Sequence, residues 1–410
     1  MLRVRTAVAV GLTAVLAASI AGCSSSSGAS PAVTSAPAVT SAPADTTAPA
    51  ETSASSPAAQ MNATELAASV WSNDPCEPKD PAAVADIPGP VDTVTGFDSA
   101  AGDWMALPAT SPLAGKRVAV SVMGLGQPFF KAVAGHWQDL AKQYGFEVKI
   151  YDGKFDAGTV NTLVDDIIAD KPDAVAFAPL AADAAVPQVQ KFQAAGIPVV
   201  TYNIQPKQPV APRVIGFDYQ SLLITGCNAG AYYNAKFGDK PAQIGVVHYS
   251  ILPQVQDRAN GFLKGFISQV PTAKVVAVVE GGAVIDKALP AASDLLQKNP
   301  DVNVLFGINN DSTLGIIAAL KAANKYSADW GVTASIDGSE PAVAELGNPD
   351  SPWKAESGYP PYDYAVLAFN LLGATVEGKT DKDTQIALIP PRIQPTPEAI
   401  AAWVNTQYPK

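Results

Sequence analysis

RVAVSVMGLGQPFF, residues 117–130, passes from a nearly unbroken apolar run through a glycine turn into the start of a helix. Val118, Val120 and Val122 lie beside Ala119, Ser121 and Met123 with no polar face. That pattern predicts a strand buried on both sides in a parallel sheet. The strand ends at Gly124-Leu125-Gly126, and Pro128 suits the first turn of a helix, where its missing N–H costs nothing. Open α/β sheets place their ligands in loops of this kind, at the carboxyl end of a strand. Gln127, Phe129 and Phe130 are therefore the first candidates for a binding site.

Outward from this stretch the same alternation repeats. Strands are predicted at 117–123, 146–151, 173–178 and 197–202, with helices at 128–144, 157–170 and 182–195 between them. Gly145, Pro172 and Gly196-Ile197-Pro198 stand where helices should stop. After a short strand at 214–217 a second series runs helix 219–236, strand 242–249, helix 254–269, strand 274–280, helix 285–298, strand 302–307, helix 311–324, strand 331–336. A strand at 353–357, a helix at 361–377, a strand at 386–389 and a helix at 397–404 complete the chain. Strands separated by helices of about 10 to 15 residues make βαβ units and a parallel sheet. The expected class is α/β, with two Rossmann-like lobes joined by a three-segment hinge. Lobe 1 takes 113–217 plus 360–385, and lobe 2 takes 218–359 plus 386–410. The hinge is placed near Phe217 and Asp218, at 358–361 and at 381–385.

Residues 1–22 read as an export signal: Arg3 and Arg5 precede an apolar run too short and too rich in small residues for a membrane span. The run ends in Ile20-Ala21-Gly22-Cys23, which resembles the bacterial lipobox. That resemblance implies a diacylated Cys23 and a lipid anchor on the extracytoplasmic face of the cell membrane. Residues 23–60 are almost wholly Ser, Ala, Pro and Thr and cannot bury enough apolar surface to offset the entropy of ordering, so a disordered tether is expected. Residues 61–112 read as an N-terminal arm packed on the main body, with a helix near 63–71 and Asp103-Trp104-Met105 docking an apolar patch.

The net charge of −11 argues against nucleic acid or an anionic lipid surface as partner. Cys76 and Cys227, the cysteines other than Cys23, either pair in an oxidising exterior or stay as buried free thiols. The two histidines, His136 and His248, form no His/Cys cluster of metal-ligand spacing, and neither stands in a nucleophile motif. No metal, no cofactor and no catalytic residue is expected.

The segments Gln127-Pro128-Phe129-Phe130, Gly196-Ile197-Pro198-Val199-Val200-Thr201, Asp257-Arg258-Ala259-Asn260-Gly261-Phe262, Leu305-Phe306-Gly307-Ile308-Asn309-Asn310-Asp311 and Ile336-Asp337-Gly338 follow one another in an order that resembles the type I periplasmic-binding-protein family, in particular the ribose-binding-like lipoproteins of sugar ABC transporters. The likeness runs from about 115 to 395. It implies two lobes that close on a polar small molecule and then dock on a membrane permease. A sugar ring has apolar faces and a hydroxyl rim, so aromatic rings and planar polar side chains suit it. Phe129 and Phe130 would stack on it, or serve as core beside Val133 and Leu140, one of the two facing inward. Gln127, Asn309 and Asp337 would contact hydroxyls, although Asn and Asp at strand ends also serve turns and caps.

The chain departs from that pattern too. Asn203-Ile204 stands where the sugar binders usually carry Asp-Arg, Gln256 where they carry an Arg two residues before the retained Arg258, and Tyr359 at a position often held by Gln. Hydrogen bonds to charged groups are the stronger class. Tyr202, Asn203, Gln256 and Tyr359 would therefore line a pocket for a sugar, polyol or other neutral molecule. A dinucleotide enzyme is the rival suggested by Gly124, Gly126 and Asp152, but Phe129 replaces the third glycine of that fingerprint. A surface lipoprotein that presents a bound small molecule to a membrane receptor is the alternative on the same fold.

Overall fold

A computed structural model describes residues 61–90, 99–100, 103–250, 252 and 255–408. The predicted signal, Cys23 and the tether lie outside these residues, as does 91–98 of the arm.

The arm opens with α1 (Ala63–Ser69), whose capping box pairs the Asn62 side chain with the N–H of Glu65 and the Glu65 carboxylate with the N–H of Asn62. A 3-10 turn at Pro81–Val84 follows, then the two-residue strand β1 (Ser99–Ala100) and a second 3-10 turn at Asp103–Met105. Lobe 1 is built from β2 (Arg117–Val122), α2 (Pro128–Tyr144), β3 (Glu147–Asp152), α3 (Ala157–Asp170), β4 (Ala174–Phe177), α4 (Ala182–Ala194), β5 (Val199–Asn203) and β6 (Arg213–Gly216). Lobe 2 follows with α5 (Asp218–Phe237), β7 (Gln243–His248), α6 (Val255–Gln269), β8 (Lys274–Glu280), α7 (Ile285–Lys298), β9 (Val304–Gly307), α8 (Asn310–Ala322), β10 (Val332–Asp337), α9 (Glu340–Gly347) and β11 (Trp353–Gly358). The chain ends with α10 (Pro361–Val376), β12 (Gln385–Leu388) and α11 (Pro397–Gln407).

Two sheets result, ordered β1-β12-β6-β5-β4-β2-β3 and β11-β10-β9-β7-β8, with every strand pair parallel. The apolar run of β2 sits inside the first sheet, and its residues Val118 to Val122 are all buried. Local signals set the helix ends: Pro128 stands in the first turn of α2, and Gly145 ends it in the left-handed region at φ 69°. In lobe 2, α5 and α6 cross so closely that a Cβ on Gly265 would collide with the Leu223 carbonyl, so only glycine fits there.

The predicted lobe boundary at 385/386 is corrected. Gln385–Leu388 pairs with β6 in lobe 1, Gln385 opposite Arg213 and Leu388 opposite Gly216. The reason is α10, which crosses from lobe 2 and covers β4, β5 and β6, so the strand that follows joins the sheet α10 packs on. The third crossover therefore falls after Leu388 rather than at 381–385. The three crossovers touch: the Phe217 N–H donates to the Leu388 carbonyl (2.9 Å), and the Ser221 hydroxyl meets both the Pro390 carbonyl (2.7 Å) and the Ser357 hydroxyl (2.6 Å). Helix α9 has no counterpart among the predicted elements.

The arm touches both lobes. On lobe 2, α1 packs on α5 and β11, and Cys76 is disulfide-bonded to Cys227 of α5 with Cα atoms 5.7 Å apart. On lobe 1, β1 extends the first sheet beside β12, and the Asn370 side chain on α10 donates to the Trp104 carbonyl (2.7 Å).

Candidate functional site

The turn after β2 faces the turns after β9 and β10. Gln127, Pro128 and Phe129 from lobe 1 and Asn309, Asn310, Asp311, Asp337 and Ser339 from lobe 2 line the gap between them. The cavity measures about 10 Å³, room for about one water. Any sugar-sized molecule requires the lobes to part.

Gln127 is the N-cap residue of α2, and its side chain makes no capping bond to the helix. Its amide thus remains on the lip of the gap. Phe129 lines the gap with one edge and meets the rings of Tyr359 (5.6 Å) and Tyr364 (5.8 Å) edge-on with the rest. Phe130 turns inward, 4.8 Å from Phe129 and 5.7 Å from Phe155. Asn309 lines the gap while its oxygen caps α8 at the Ser312 N–H (2.9 Å) and its amide donates to the Ala283 carbonyl (3.0 Å). Asn309 thus caps α8 and lines the gap with the same side chain. Asp337 ends β10 at φ 127°, a conformation costly for any residue with a side chain. Its carboxylate accepts from the Asn310 N–H (3.2 Å) and faces the Arg258 guanidinium (3.5 Å).

The other predicted contacts lie elsewhere. Tyr202 is buried in the first sheet, where its hydroxyl donates to the Ser121 carbonyl (2.6 Å), because a residue in a central strand points into the covering layer. Asn203, at φ 70°, and Gln256, which is exposed and donates to Asn260 (3.3 Å), are not among the lining residues. Tyr359 is 4% exposed and its hydroxyl donates to Asp218 (2.6 Å). Asn310, Asp311 and Ser339 were not predicted, although the first two directly follow Asn309 in sequence. Asp152, one of the residues that suggested the rival dinucleotide fold, accepts from the N–H groups of Leu125 and Lys154, both at 3.0 Å.

Behind the lobe-2 wall lies a buried charge cluster. Arg258 donates through Nε to Asp218 (2.6 Å) and through Nη1 to the Ile308 carbonyl (2.9 Å), and its guanidinium stands over the Tyr359 ring at 5.2 Å. Burial opposes its charge, but Asp218 and Asp337 outweigh that and hold the guanidinium protonated. Burial raises the Asp337 carboxyl to about 7, against the pull of Arg258 and the Asn310 N–H. Burial likewise raises the Asp311 carboxyl.

The periplasmic binding protein domain matches residues 118–380. The ABC transporter periplasmic-binding protein YphF of Escherichia coli (strain K12) is 28% identical over 206 residues, 48% of this chain and 62% of that protein. The chain therefore spans under two thirds of that relative's length. The ribose import binding protein RbsB of Bacillus subtilis (strain 168) is 27% identical over 234 residues, 56% of this chain and 72% of that protein. A crystal structure of an ABC transporter periplasmic solute binding protein from Actinobacillus succinogenes 130z, with bound D-allose, superposes with a TM-score of 0.62 at 18% identity, over 70% of this chain and 99% of that one, which shows a common fold. With the domain matched over more than half of the sequence, and with two parallel-sheet lobes meeting at the carboxyl ends of their strands, this chain belongs to the type I periplasmic-binding-protein family.

Proposed function

We propose that this chain is an extracytoplasmic solute-binding protein of an ABC importer, capturing a small neutral polar molecule between its lobes and delivering it to a membrane permease. The ligand class is a sugar, polyol or related compound. The observation that carries this reading is the composition of the gap: an amide and an aromatic edge on one lip, two carboxylates, two amides and a hydroxyl on the other. Such groups accept from and donate to hydroxyls, and Asp311 and Asp337 disfavour an anion. The relatives named for ribose and D-allose support the same class. Ligand would enter with the lobes parted wider than here, and they would close on it until both lips touch it, because affinity is higher where both lobes make contact. The protein would be held at the membrane by lipid on Cys23, a reading that rests on the lipobox resemblance alone.

A thermal-shift panel of pentoses, hexoses, polyols and neutral metabolites tests the function. At about 100 times the dissociation constant a ligand stabilises by about 2.7 kcal/mol, an easily measured shift. Gln127→Ala and Asp337→Ala should each abolish most of the shift. A panel in which nothing stabilises the wild type would sink the reading. Cys23→Ser should move the protein from the membrane to the soluble fraction.

A further inference from the structure

Glu356 on β11 lines no part of the gap and is 0% exposed, yet it is bonded to both turns that make the lobe-2 wall. Its Oε1 accepts from the Asn310 side-chain amide (2.7 Å) and from the Gly338 N–H (2.9 Å), and its Oε2 accepts from the Trp353 indole (3.0 Å). Asn310 completes the clasp. Its amide nitrogen also donates to the Ile336 carbonyl (2.9 Å), and its oxygen accepts from the Ser339 N–H (2.7 Å). The turn after β9 and the turn after β10 are thus locked to one buried carboxylate.

The place of the lock is informative. Asp337 at φ 127° and Gly338 at φ 73° both sit in the left-handed region, and a side chain on Gly338 would press on Trp403 and Ile393. A conformation this costly persists only where its surroundings fix it. The two N–H groups directly after Asp337, those of Gly338 and Ser339, are the ones fastened to Glu356 and Asn310. We propose that Glu356, acting through Asn310 and the Gly338 N–H, is the positioning residue of the ligand cleft, holding Asp337 and Ser339 toward Gln127.

The inference rests on reading the cleft as the ligand site. The charges near Glu356 are those of Asp337 on β10, with Asp218 on α5, Arg258 on α6 and Asp311 on α8 around that carboxylate, and Tyr408 after α11 feels both Glu356 and Asp337. Burial first, and the Asp337 charge after it, push the Glu356 carboxyl up to about 8, while the donors from Asn310, Gly338 and Trp353 pull it down. Three donors converging on two oxygens are all satisfied by the carboxylate, the form present above about pH 8. A glutamine would turn an N–H₂ toward one of those donors and lose that bond.

Hydrogen–deuterium exchange with mass spectrometry, on the ligand-free protein across pH 6 to 9, provides the test. At pH 9, Glu356→Gln should speed exchange at 336–341 and 308–313 at least tenfold while α6 keeps its protection, and the difference should narrow toward pH 6, where the wild-type acid is protonated. The part of the pH dependence of wild-type exchange at 336–341 that falls near pH 8 should be lost in the variant, while the part near pH 7, from Asp337, should remain. Asn310→Ala opens the same clasp from the other side, and the double variant should exchange no faster than either single one. If Glu356→Gln fails to fold, Asn310→Ala alone carries the measurement. Exchange at 336–341 within twofold of wild type at pH 9 overturns the proposal. So does faster exchange with unchanged affinity for the sugar that most stabilises the wild type, where at least tenfold weaker binding is expected. Should no sugar bind the wild type, the sugar-binding reading fails and the exchange result alone decides the clasp.

Discussion

Replacing Tyr359 by Phe separates a ligand contact from a structural one. The hydroxyl donates to one oxygen of Asp218 at 2.6 Å, and Arg258 holds the other oxygen at 2.6 Å. Removing it leaves the ring in place, stacked on Tyr364 at 5.2 Å and edge-on to Phe129 at 5.6 Å. The loss is one hydrogen bond to a buried carboxylate, worth about 1.5–3 kcal/mol. For a folded part of about 350 residues, with an unfolding entropy of about 2.1 cal/mol/K per residue, that is a fall in Tm of about 2–4 °C. Because the hydroxyl lies outside the gap, affinity for the sugar found in the panel should stay within about twofold. Scanning calorimetry reads the first quantity and titration calorimetry the second. A tenfold loss of affinity with an unchanged Tm would refute the reasoning and restore Tyr359 to the binding site.

The double variant Cys76→Ser/Cys227→Ser opens a covalent loop of sequence separation 151, for which chain entropy sets a ceiling of about 5 kcal/mol. A drop of about 2–5 kcal/mol in urea unfolding, with new protease sensitivity in 61–90, is expected; a drop below about 0.5 kcal/mol would show that the arm adds nothing to the lobes it touches. Asp337 has its carboxyl raised to about 7 in the fold, against about 4 in an unfolded chain, so the native state binds more protons between those values. Its contribution is full below about pH 4 and is lost as pH rises through about 7, so the wild type should lose stability relative to Asp337→Asn across that window. An equal pH slope in the two proteins contradicts the shift. A uronate should bind at least tenfold more weakly than its parent sugar, because its carboxylate meets Asp311 and Asp337, and equal affinities by titration calorimetry would show that Arg258 reaches the ligand after all.

The fold was legible where periodicity and punctuation agree. β2, α2, α3 and α7 follow directly from an apolar run, Pro128, Gly145 and the regular spacing of apolar residues. The sheet to which Gln385–Leu388 belongs was not, because four apolar residues carry no address; α10 supplies it by covering β4, β5 and β6. Helix α9 is eight residues long, too short for a helical period to show. In the site, Gln127, Phe129, Asn309 and Asp337 could be picked out because each stands at a strand end or a helix start, where the chain must turn at the cleft. Tyr202 and Tyr359 could not be excluded from sequence, since a tyrosine near a strand end reads alike whether its hydroxyl meets a ligand or a buried acceptor. Glu356 gave no signal at all: a lone acid in a strand looks exposed until its three donors are seen.

A guanidinium free at the cleft would bind hydroxyls strongly, but Arg258 is committed to the protein itself. Here its donors go to Asp218, to the Ile308 carbonyl and to Asp337, and only 13% of its side chain is exposed. Removing it would strand Asp218 and Asp337 as buried charges, at a cost of about 3–5 kcal/mol. The same guanidinium lies over Tyr359, which stands on the second crossover and touches Phe129 on the opposite lobe's lip. Arg258 is therefore a support for the wall and for the crossover together, and the groups left to meet a ligand are amides, a hydroxyl and carboxylates. On the proposed function such a cleft would select by the geometry of hydroxyls and by rejecting anions, and the proposed lock on Asp337 and Ser339 would carry more of that selection than it would beside a free arginine.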